Sequence, residues 1–368
     1  MNQINVTKPS LPDIKEVKKI LDELWQSRWL TNNGKFHQEF EKKLADFLGT
    51  EHLALCANGT LALVIALQAL RITGEVITTP YSFVATTHSL HWNGIKPVFV
   101  DTEKNSFNLD PNKIEASITP RTTAVLPVHV YGYPCNVDEI QRIADIYGLK
   151  IIYDAAHAFN VRLNGIPIVN FGDMTILSFH STKIFHTFEG GAIICKDEKT
   201  KQRIDFLKNF GFADEVTVVG PGINAKMNEF QAGLGLLQLK EFDQNKEKRR
   251  QLFFRYCDML KNIKGINFFQ PLEGLDYNYA YFPILVNEDK YGMSRDDLYQ
   301  KLKDIGIYAR RYFYPLISNF PTYRGLESTQ SSNLINATQK SEQVLCIPLY
   351  SELAFDEQDR VIKVITNK

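Results

Sequence analysis

Apolar residues recur along the chain with two different periods, and these periods predict alternating strands and helices. Between residues 50 and 200, short β-rich runs alternate with stretches in which apolar residues recur every three or four positions. Several of the runs are apolar at every position, as expected when both faces of a sheet are covered. This alternation predicts an α/β fold with a mostly parallel central sheet flanked by helices. The predicted strands are His52–Ala57, Glu75–Thr79, Pro97–Asp101, Ala124–Val130, Lys150–Asp154, Thr175–Phe179 and Ala192–Cys195.

Three helices have clear signals of their own. One is predicted from about Pro12 to Arg28, where apolar residues fall on a single face. A second lies between a capping asparagine and a terminating glycine, at positions 136 and 148. A long helical pattern then runs from Met227 to about Ile263, with Gly233 and Gly235 as possible kinks.

The last third of the chain predicts a second, smaller domain. Strand-like runs at Gly265–Phe269 and Tyr279–Val286 surround a helix near Ser294–Ile305, which is an α+β pattern. A chain of 368 residues also fits two domains at about 150 residues each. We therefore place a large domain at residues 1–240 and a small C-terminal domain at residues 241–368.

Composition and charge exclude several classes of protein. Hydrophobic residues make up 44% and charged residues 23%, as in ordinary globular proteins, and the formal net charge is zero. The zero net charge predicts no nucleic-acid partner. The most apolar stretch, Leu61–Leu70, is about half as long as a bilayer span, so no membrane partner is expected. The five cysteines show no CxxC spacing, which argues against a zinc site or a disulfide framework, and no metal is expected. The N-terminus lacks an apolar signal core, so a cytoplasmic protein is predicted.

Candidate ligand groups follow the first two predicted strands. In open α/β sheets, ligands bind at the carboxyl ends of the strands. Gly59 and Thr60 follow the first strand and begin an apolar helix, whose free N–H groups suit a phosphate. A simple helix cap is the alternative interpretation. Phe83 follows the second strand and could stack on a planar ligand, or it could be an ordinary packing aromatic.

The later strands add an acid, a histidine and a lysine. Asp154 ends one strand and could hold a cationic ring nitrogen, and His157 lies three residues further on. Their alternatives are a capping aspartate and a buried structural histidine. Lys183 follows another buried strand, where burial would lower its pKa and make it a candidate Schiff-base former or base; a solvated loop lysine is the alternative. Pyridoxal 5′-phosphate (PLP) requires this combination: a lysine, an acid and a phosphate cradle.

The sequence resembles a known family. Over essentially the whole chain it is similar to the DegT/StrS family of PLP-dependent nucleotide-sugar aminotransferases, which have the fold type I architecture. The run from Lys183 to the glycines is the most specific part of the resemblance. The residues that carry it are Trp29-Leu30-Thr31-Asn32-Asn33-Gly34 with Phe40-Glu41, Asn58-Gly59-Thr60-Leu61-Ala62-Leu63, Tyr81-Ser82-Phe83-Val84-Ala85-Thr86, Asp154-Ala155-Ala156-His157-Ala158, Ser178-Phe179-His180-Ser181-Thr182-Lys183 with Glu189-Gly190-Gly191-Ala192, and Asn224-Ala225-Lys226-Met227-Asn228-Glu229.

The resemblance implies a role for each matched position. Lys183 matches the Schiff-base lysine, and Asp154 matches the acid that pairs with the pyridinium nitrogen. His157 occupies the position near the ring hydroxyl, and Phe83 matches the aromatic on the ring. Gly59, Thr60 and Ser178 match phosphate contacts, whereas Asn224 matches an asparagine that reaches the phosphate of the neighbouring subunit. A homodimer with shared active sites is therefore implied.

The resemblance also implies a reaction. Amine transfer from L-glutamate to a keto-deoxy nucleotide sugar is expected, with PLP and its aminated form, pyridoxamine phosphate, as cofactor states. His157 resembles the members that aminate C4 of a 4-keto-6-deoxy nucleotide sugar. The Trp29–Gly34 and Asn224–Met227 segments resemble the viosamine-forming branch, which makes dTDP-4-amino-4,6-dideoxyglucose. That branch aminates C4, and amination at C3 is the alternative. O-antigen or other lipopolysaccharide synthesis is the expected context.

Other readings remain open, and one position departs from the family. Sugar dehydratases of this family carry His at the lysine position, so Lys183 argues against that activity. A non-catalytic relative is a further alternative. Lys226 replaces the arginine that is common two residues after the asparagine, which leaves its role open.

Candidates for substrate binding are harder to assign from spacing. A basic and aromatic stretch at residues 310–314 would suit a diphosphate and a base, although a surface strand would look similar. Residues near the first loop and the lysine are further candidates. The substrate-binding candidates are Trp29, Thr31, His180, His186, Arg310 and Tyr314.

Overall fold

The computed structural model describes residues 3–367. No helix in this range is long and apolar enough to cross a lipid bilayer. The strands are β1 Ile4–Asn5, β2 His52–Cys56, β3 Glu75–Thr78, β4 Lys96–Phe99, β5 Thr122–Leu126, β6 Lys150–Asp154, β7 Arg162–Leu163, β8 Ile166–Pro167, β9 Met174–Ser178, β10 Gly191–Cys195, β11 Ile266–Phe268, β12 Leu275–Asp276, β13 Phe282–Val286, β14 Ile307–Tyr308 and β15 Val344–Ile347.

The α-helices lie between these strands in the order that the periodicity indicates. They are α1 Ile14–Ser27, α2 Lys35–Leu48, α3 Gly59–Ala69, α4 Ala85–Trp92, α5 Val137–Tyr147, α6 Glu198–Leu207, α7 Glu229–Leu260, α8 Glu288–Tyr291, α9 Arg295–Asp304, α10 Ile335–Gln343 and α11 Phe355–Thr366. Short 3₁₀ turns fill several of the connections.

The larger half of the molecule is built on a seven-stranded sheet with the order β2-β10-β9-β6-β5-β3-β4. Strands β3 to β6 and β9 pair in parallel, and β10 runs antiparallel to both of its neighbours. Strand β2 therefore points the same way as β9. The predicted fold class, a mostly parallel sheet flanked by helices, is confirmed.

Both faces of this sheet are buried, which explains the uninterrupted apolar runs. In β6, Ile151 and Tyr153 belong to one apolar cluster and Ile152 belongs to the opposite one. Successive side chains of a strand point to opposite faces, so each face needs its own covering layer. Helices α1, α2, α5 and α7 contribute to the first cluster, and α3 and α6 contribute to the second.

Helix α7 is continuous, so the two glycines do not kink it. A Cβ at Gly233 would lie 2.7 Å from Cγ2 of Ile20 on α1. At Gly235 it would collide with the ring of Phe40 on α2. The glycines therefore let α1 and α2 approach the helix closely, and the predicted kinks are wrong. Helix α2, which we did not predict, repeats apolar residues at four-residue steps on its buried face.

The second half of the molecule has a separate apolar cluster around the sheet β11-β13-β15. Helix α7 passes residue 240 without a break and contributes Phe242 to the first half and Leu252 to the second. Strand β1, close to the N-terminus, pairs with β14 in the second half. The division at residue 240 remains a proposal, and the helix spans the point where it falls.

Candidate active site

The carboxyl ends of β2, β3, β6 and β9 lie along one edge of the sheet, because these strands run in the same direction. The loops that follow them carry the residues that sequence analysis selected there. Residues from the second half of the molecule, near β13 and β14, close the same region. The cleft is therefore formed by loops of both halves.

The N-terminus of α3 is an open anion cradle. The Asn58 side chain accepts a hydrogen bond from the N–H of Leu61 at 2.8 Å, and the Asn58 carbonyl accepts from Ala62. The N–H groups of Gly59 and Thr60 have no acceptor within the helix, so they are left for a ligand. A Cβ at Gly59 would lie 2.9 Å from Cβ of Ser178, so the cradle requires glycine. Both interpretations of this turn, cap and anion site, are compatible.

Asp154 is a buried carboxylate with two donors. Its Oδ2 accepts from the Thr86 hydroxyl at 2.7 Å, and its Oδ1 accepts from the N–H of Ala156 at 3.1 Å. Burial raises the pKa of Asp154, and the hydrogen bond from Thr86 opposes this rise. The Thr86 hydroxyl in turn lies 2.8 Å from that of Ser82. This hydroxyl chain fixes the carboxylate and supports its charged form.

His157 is held as a neutral ring of one tautomer. Its Nδ1 accepts the backbone N–H of Tyr131 at 3.0 Å, so the ring proton belongs on Nε2. Burial lowers the pKa of His157 well below its usual value, and the charge of Lys183 lowers it further. The ring also packs against Tyr281, with centroids 4.7 Å apart. His157 can therefore donate a hydrogen bond from Nε2, but it is a poor proton carrier at neutral pH.

Lys183 is half-buried at the end of the turn that follows β9. Its Nζ lies 3.5 Å from the hydroxyl oxygen of Tyr281. Burial lowers the pKa of Lys183, while the negative charge of Asp154 opposes this effect. The interpretation as a solvated loop lysine does not fit this environment. An amine with a lowered pKa beside a buried carboxylate can act as a nucleophile or a base.

A cavity of about 350 Å³ opens beside this cluster and contains two of the substrate candidates. Phe83, 59% exposed, lies at its wall together with Arg310 and Tyr314. The guanidinium groups of Arg295 and Arg311 lie 4.6 and 5.5 Å from the centroid of the Tyr314 ring. Arg311 also donates to Asp296 at 2.9 Å, whereas Arg310 is exposed and its guanidinium lies 5.4 Å from the centroid of the Tyr312 ring.

Trp29 and Thr31 lie elsewhere, on the exposed loop after α1. Trp29 lines a second cavity of about 390 Å³ with Phe36 and Glu229, and this cavity shares no lining residue with the first. The Glu229 carboxylate accepts the N–H groups of Gly34 and Phe36, so it caps α2 and fixes this loop. Within one chain, the substrate candidates therefore form two separate groups.

The two histidines near Lys183 differ in their freedom. His180 is partly exposed, and its Nε2 lies 3.6 Å from the Glu189 carboxylate. His186 is buried, with Nε2 donating to the Ser10 carbonyl at 2.9 Å and Nδ1 accepting from Phe188. Both nitrogens of His186 are thus occupied within the chain. This arrangement does not support the predicted substrate contact for His186 and instead gives it a role in holding the N-terminal segment.

Asn224 lies on a largely exposed, irregular segment between α6 and α7. Its side chain is exposed, and its Oδ1 accepts a hydrogen bond from Lys226 at 2.9 Å. Several apolar side chains of the same segment are also exposed, including Val216 at 86% and Val218 at 57%. Exposed apolar residues in such a group are typical of a surface that is covered by another protein.

Sequence reasoning missed residues that act through distant contacts. Thr86 belongs to the motif Tyr81–Thr86, and its hydroxyl donates to Asp154, a role that the motif alone does not indicate. Tyr281 comes from the second half of the chain and meets both Lys183 and His157. The Thr7 hydroxyl donates to the carbonyl of Thr182 and so ties the N-terminal segment to the lysine turn. No local periodicity signals such contacts, and only the motif Tyr81–Thr86 gave a hint.

These residues fit PLP as a bound group. The anion cradle, the ionisable acid, the single-tautomer histidine and the lysine occupy neighbouring strand ends, which matches the donors and acceptors that PLP needs. Between Gln3 and Asn367, no group of three His, Cys, Asp or Glu side chains is arranged to hold a metal ion.

Comparison with known proteins agrees with this chemistry. The chain matches the model of the DegT/DnrJ/EryC1/StrS aminotransferase family over residues 12–366. It is 52% identical to a dTDP-4-amino-4,6-dideoxy-D-glucose transaminase of Escherichia coli, covering 99% of this chain and 98% of that protein. A Shigella dysenteriae protein with the same description is 48% identical, with 98% of each chain covered.

Solved structures give the same result. The crystal structure of DesI in the presence of its TDP-sugar product superposes with a TM-score of 0.95 at 33% identity, covering 100% of this chain and 93% of that one. The predicted family is therefore confirmed by sequence and by fold. The chain belongs to the DegT/DnrJ/EryC1/StrS aminotransferase family.

Proposed function

We propose that this protein uses PLP to move the amino group of L-glutamate to C4 of dTDP-4-keto-6-deoxyglucose. The observation that carries the proposal is the cluster of Lys183, Asp154 and His157 beside the N-terminus of α3. The similarity to the two enterobacterial transaminases supports the sugar and the position of amination. A cytoplasmic location and a role in surface-glycan synthesis remain predictions.

When bound, PLP supplies an aldehyde that captures amines and a ring that withdraws electrons from the substrate carbon. The N–H groups of Gly59 and Thr60, with the hydroxyls of Thr60 and Ser178, would hold its phosphate. Phe83 would lie against its ring. These assignments use the open cradle of α3, which has no other function in the described chain.

Lys183 would first hold the cofactor and would then be released when the amino donor arrives. Burial lowers its pKa, so the neutral amine is more accessible than that of a solvated lysine. The amine can then take a proton from the substrate carbon as a general base, and it can later return a proton as a general acid. Tyr281, 3.5 Å from Nζ, would orient the amine between these tasks.

Asp154 and His157 would set the charge of the cofactor ring. An ionised Asp154 would keep the ring nitrogen protonated, and the donors at Thr86 and Ala156 favour that ionised form. The Nε2–H of His157 would donate toward the ring hydroxyl. Because His157 is neutral, we assign it to orientation rather than to proton transfer.

The cavity beside the cluster would receive the nucleotide sugar. Within residues 3–367, no carboxylate is paired with Arg310, whereas Arg311 is paired with Asp296. A guanidinium suits a diphosphate because it presents parallel donors. Tyr314 would supply an aromatic face for the base. His180, partly exposed beside Lys183, would face the sugar.

We also propose a homodimer in which each chain completes the other's site. The exposed apolar residues of the segment around Val216 support a covered surface, and Asn224 lies at the base of that segment. A neighbouring chain would also bring the Trp29 and Thr31 loop toward a second site. This accounts for the separation of the two cavities within one chain.

The test is amine transfer from L-glutamate to dTDP-4-keto-6-deoxyglucose, with the product examined by NMR. The proposal expects 2-oxoglutarate, an amine on C4, and parallel initial-velocity lines, because the two substrates react in separate steps. If the protein instead aminates C3 of a 3-keto sugar and does not react at C4, the proposed substrate is wrong. Intersecting lines would contradict the two-step scheme.

A further inference from the structure

The segment from Asn209 to Lys226, here called the 209–226 loop, is held firmly at its base. Asn209 and Asn224 form an antiparallel bridge between the two ends of the loop. The N–H of Ala225 donates to the carbonyl of Lys208 at 2.9 Å, and the carbonyl of Ala225 accepts from Ala57 at 2.8 Å. The backbone that carries Asn224 is therefore fixed, and only its side chain is free to reorient.

Lys226 removes that remaining freedom. Its Nζ lies 2.9 Å from Oδ1 of Asn224 and 2.9 Å from Oδ1 of Asn209. The ammonium also lies over the ring of Phe210, 4.9 Å from the centroid. An ammonium group has donors only, so both amides must turn their oxygens toward it. The Asn224 nitrogen, with its two N–H donors, is consequently turned away from Lys226.

This orientation matters because a phosphate oxygen only accepts hydrogen bonds. A free asparagine amide can rotate by half a turn and present its oxygen instead, which would repel an anion. We propose that Lys226 is a positioning residue that locks the Asn224 amide with its N–H donors directed at the cofactor phosphate of the neighbouring subunit. The inference rests on the proposed function, in which Asn224 crosses the dimer interface.

The competing account is that Lys226 itself attracts the phosphate by its charge. The two accounts differ in how the effects of substitutions combine. A residue that acts only through Asn224 has no effect once Asn224 is removed, whereas an independent phosphate contact keeps its effect. A double-mutant cycle on Lys226→Met and Asn224→Ala therefore separates them, because methionine keeps the length of the stem and loses the donors.

The experiment measures PLP affinity on the full-length chain freed of cofactor, by the change in visible absorbance during titration. We expect Asn224→Ala to weaken PLP binding about tenfold or more, since a charge-assisted hydrogen bond is lost. Lys226→Met should weaken PLP binding about two- to tenfold, because the Asn224 side chain is then no longer ordered before the phosphate binds. The double variant should match Asn224→Ala, and Lys226→Arg, which also donates to two oxygens, should restore affinity.

Pyridoxal without phosphate and a remote lysine provide the controls. Affinity for pyridoxal should not change in Lys226→Met, which separates a phosphate effect from a general loss of structure. Lys240→Met, which removes an exposed charge on α7, should leave PLP affinity unchanged. Circular dichroism and sedimentation should show the same fold and mass for all variants.

Two results overturn the inference while leaving the proposed function intact. One is additive weakening in the double variant, which would make Lys226 an independent contact. The other is an unchanged PLP affinity in Lys226→Met alongside a weakened Asn224→Ala. If Asn224→Ala itself binds PLP as tightly as the wild type, the phosphate role of Asn224 fails, and the inference fails with it.

Discussion

The strand-end residues and the rim residues of the cleft differ in how firmly the chain holds them. Asp154 is 5% exposed and accepts two hydrogen bonds from its own domain. Tyr314, on the rim, is 44% exposed, and its ring contacts the guanidinium groups of Arg295 and Arg311. The strand-end residues are all positioned by one chain at one edge of the sheet. The rim residues are spread over loops, two cavities and, in our proposal, two subunits.

The difference indicates how this fold separates chemistry from recognition. Buried groups on rigid strand ends can hold shifted pKa values, because water does not screen them. Exposed loop residues bind with less precision but tolerate change, so they can adapt to different sugars. We therefore expect substitutions at the strand ends to affect the rate of reaction, and substitutions at the rim to affect substrate affinity.

The largest effect is expected for Lys183→Ala. Lys183 is the amine that lies beside Asp154 and Tyr281, so amine transfer should fall by about 10⁴-fold, the upper range for loss of acid–base catalysis. The measurement is 2-oxoglutarate release from L-glutamate. Lys183→Arg keeps the charge but cannot give up its proton, so it should be as inactive. Turnover that survives in either variant would contradict the role of Lys183.

The second largest effect is expected for Asp154→Asn, with a loss of about 10²–10³-fold in kcat. The amide cannot supply the negative charge that keeps the ring nitrogen protonated. It fits the site, because the Thr86 hydroxyl can accept as well as donate. Asp145→Asn, on the exposed face of α5, is a matched control that should react at the wild-type rate. Equal rates for both variants would remove Asp154 from the chemistry.

Arg310→Ala should raise the KM for the nucleotide sugar about ten- to hundredfold, the cost of losing a charge-assisted contact to a diphosphate. The glutamate half-reaction should be spared, because it does not use the nucleotide. Arg311→Ala should have a smaller effect on KM, since Arg311 is already paired with Asp296. Equal increases in KM from both variants would contradict the assignment to Arg310.

The smallest effect, and the most specific, is expected for Thr86→Val. The hydrogen bond from Thr86 lowers the pKa of Asp154, so its removal should raise that pKa. Because Asp154 acts in its ionised form, the acidic limb of the kcat profile should move to higher pH. Thr87→Val is the control, since the buried Thr87 hydroxyl has no hydrogen-bond partner in the described chain. A profile that shifts equally in both variants would contradict the argument.

The sequence predicts the strands of the large sheet well, together with the candidate residues at their carboxyl ends, and the reason is physical. Fully buried parallel strands must be apolar along their length, so a polar residue such as Asp154 marks where a strand ends. Lys183 is recognised for the same reason, because it is a charged residue that follows a buried apolar strand. The predicted family and fold are confirmed, whereas the roles of the individual site residues remain predictions.

The sequence could not predict contacts between distant segments. Gly233 and Gly235 looked like helix breakers, and only the packing of α1 and α2 shows why glycine is needed. His186 is predicted as a cleft residue, yet its Nε2 is engaged by Ser10 of the N-terminal segment and its Nδ1 by Phe188. Tyr281 gave no signal, because its partners lie about a hundred residues away. Such pairings depend on topology and leave no periodic trace.

The visible absorption spectrum of the PLP-loaded protein, before and after L-glutamate, tests the central claim most directly. The account predicts a band from cofactor held by Lys183, which glutamate removes and the keto sugar restores. Absence of the band with added PLP would contradict the assignment of Lys183. A band that glutamate leaves unchanged would contradict the proposed amine transfer.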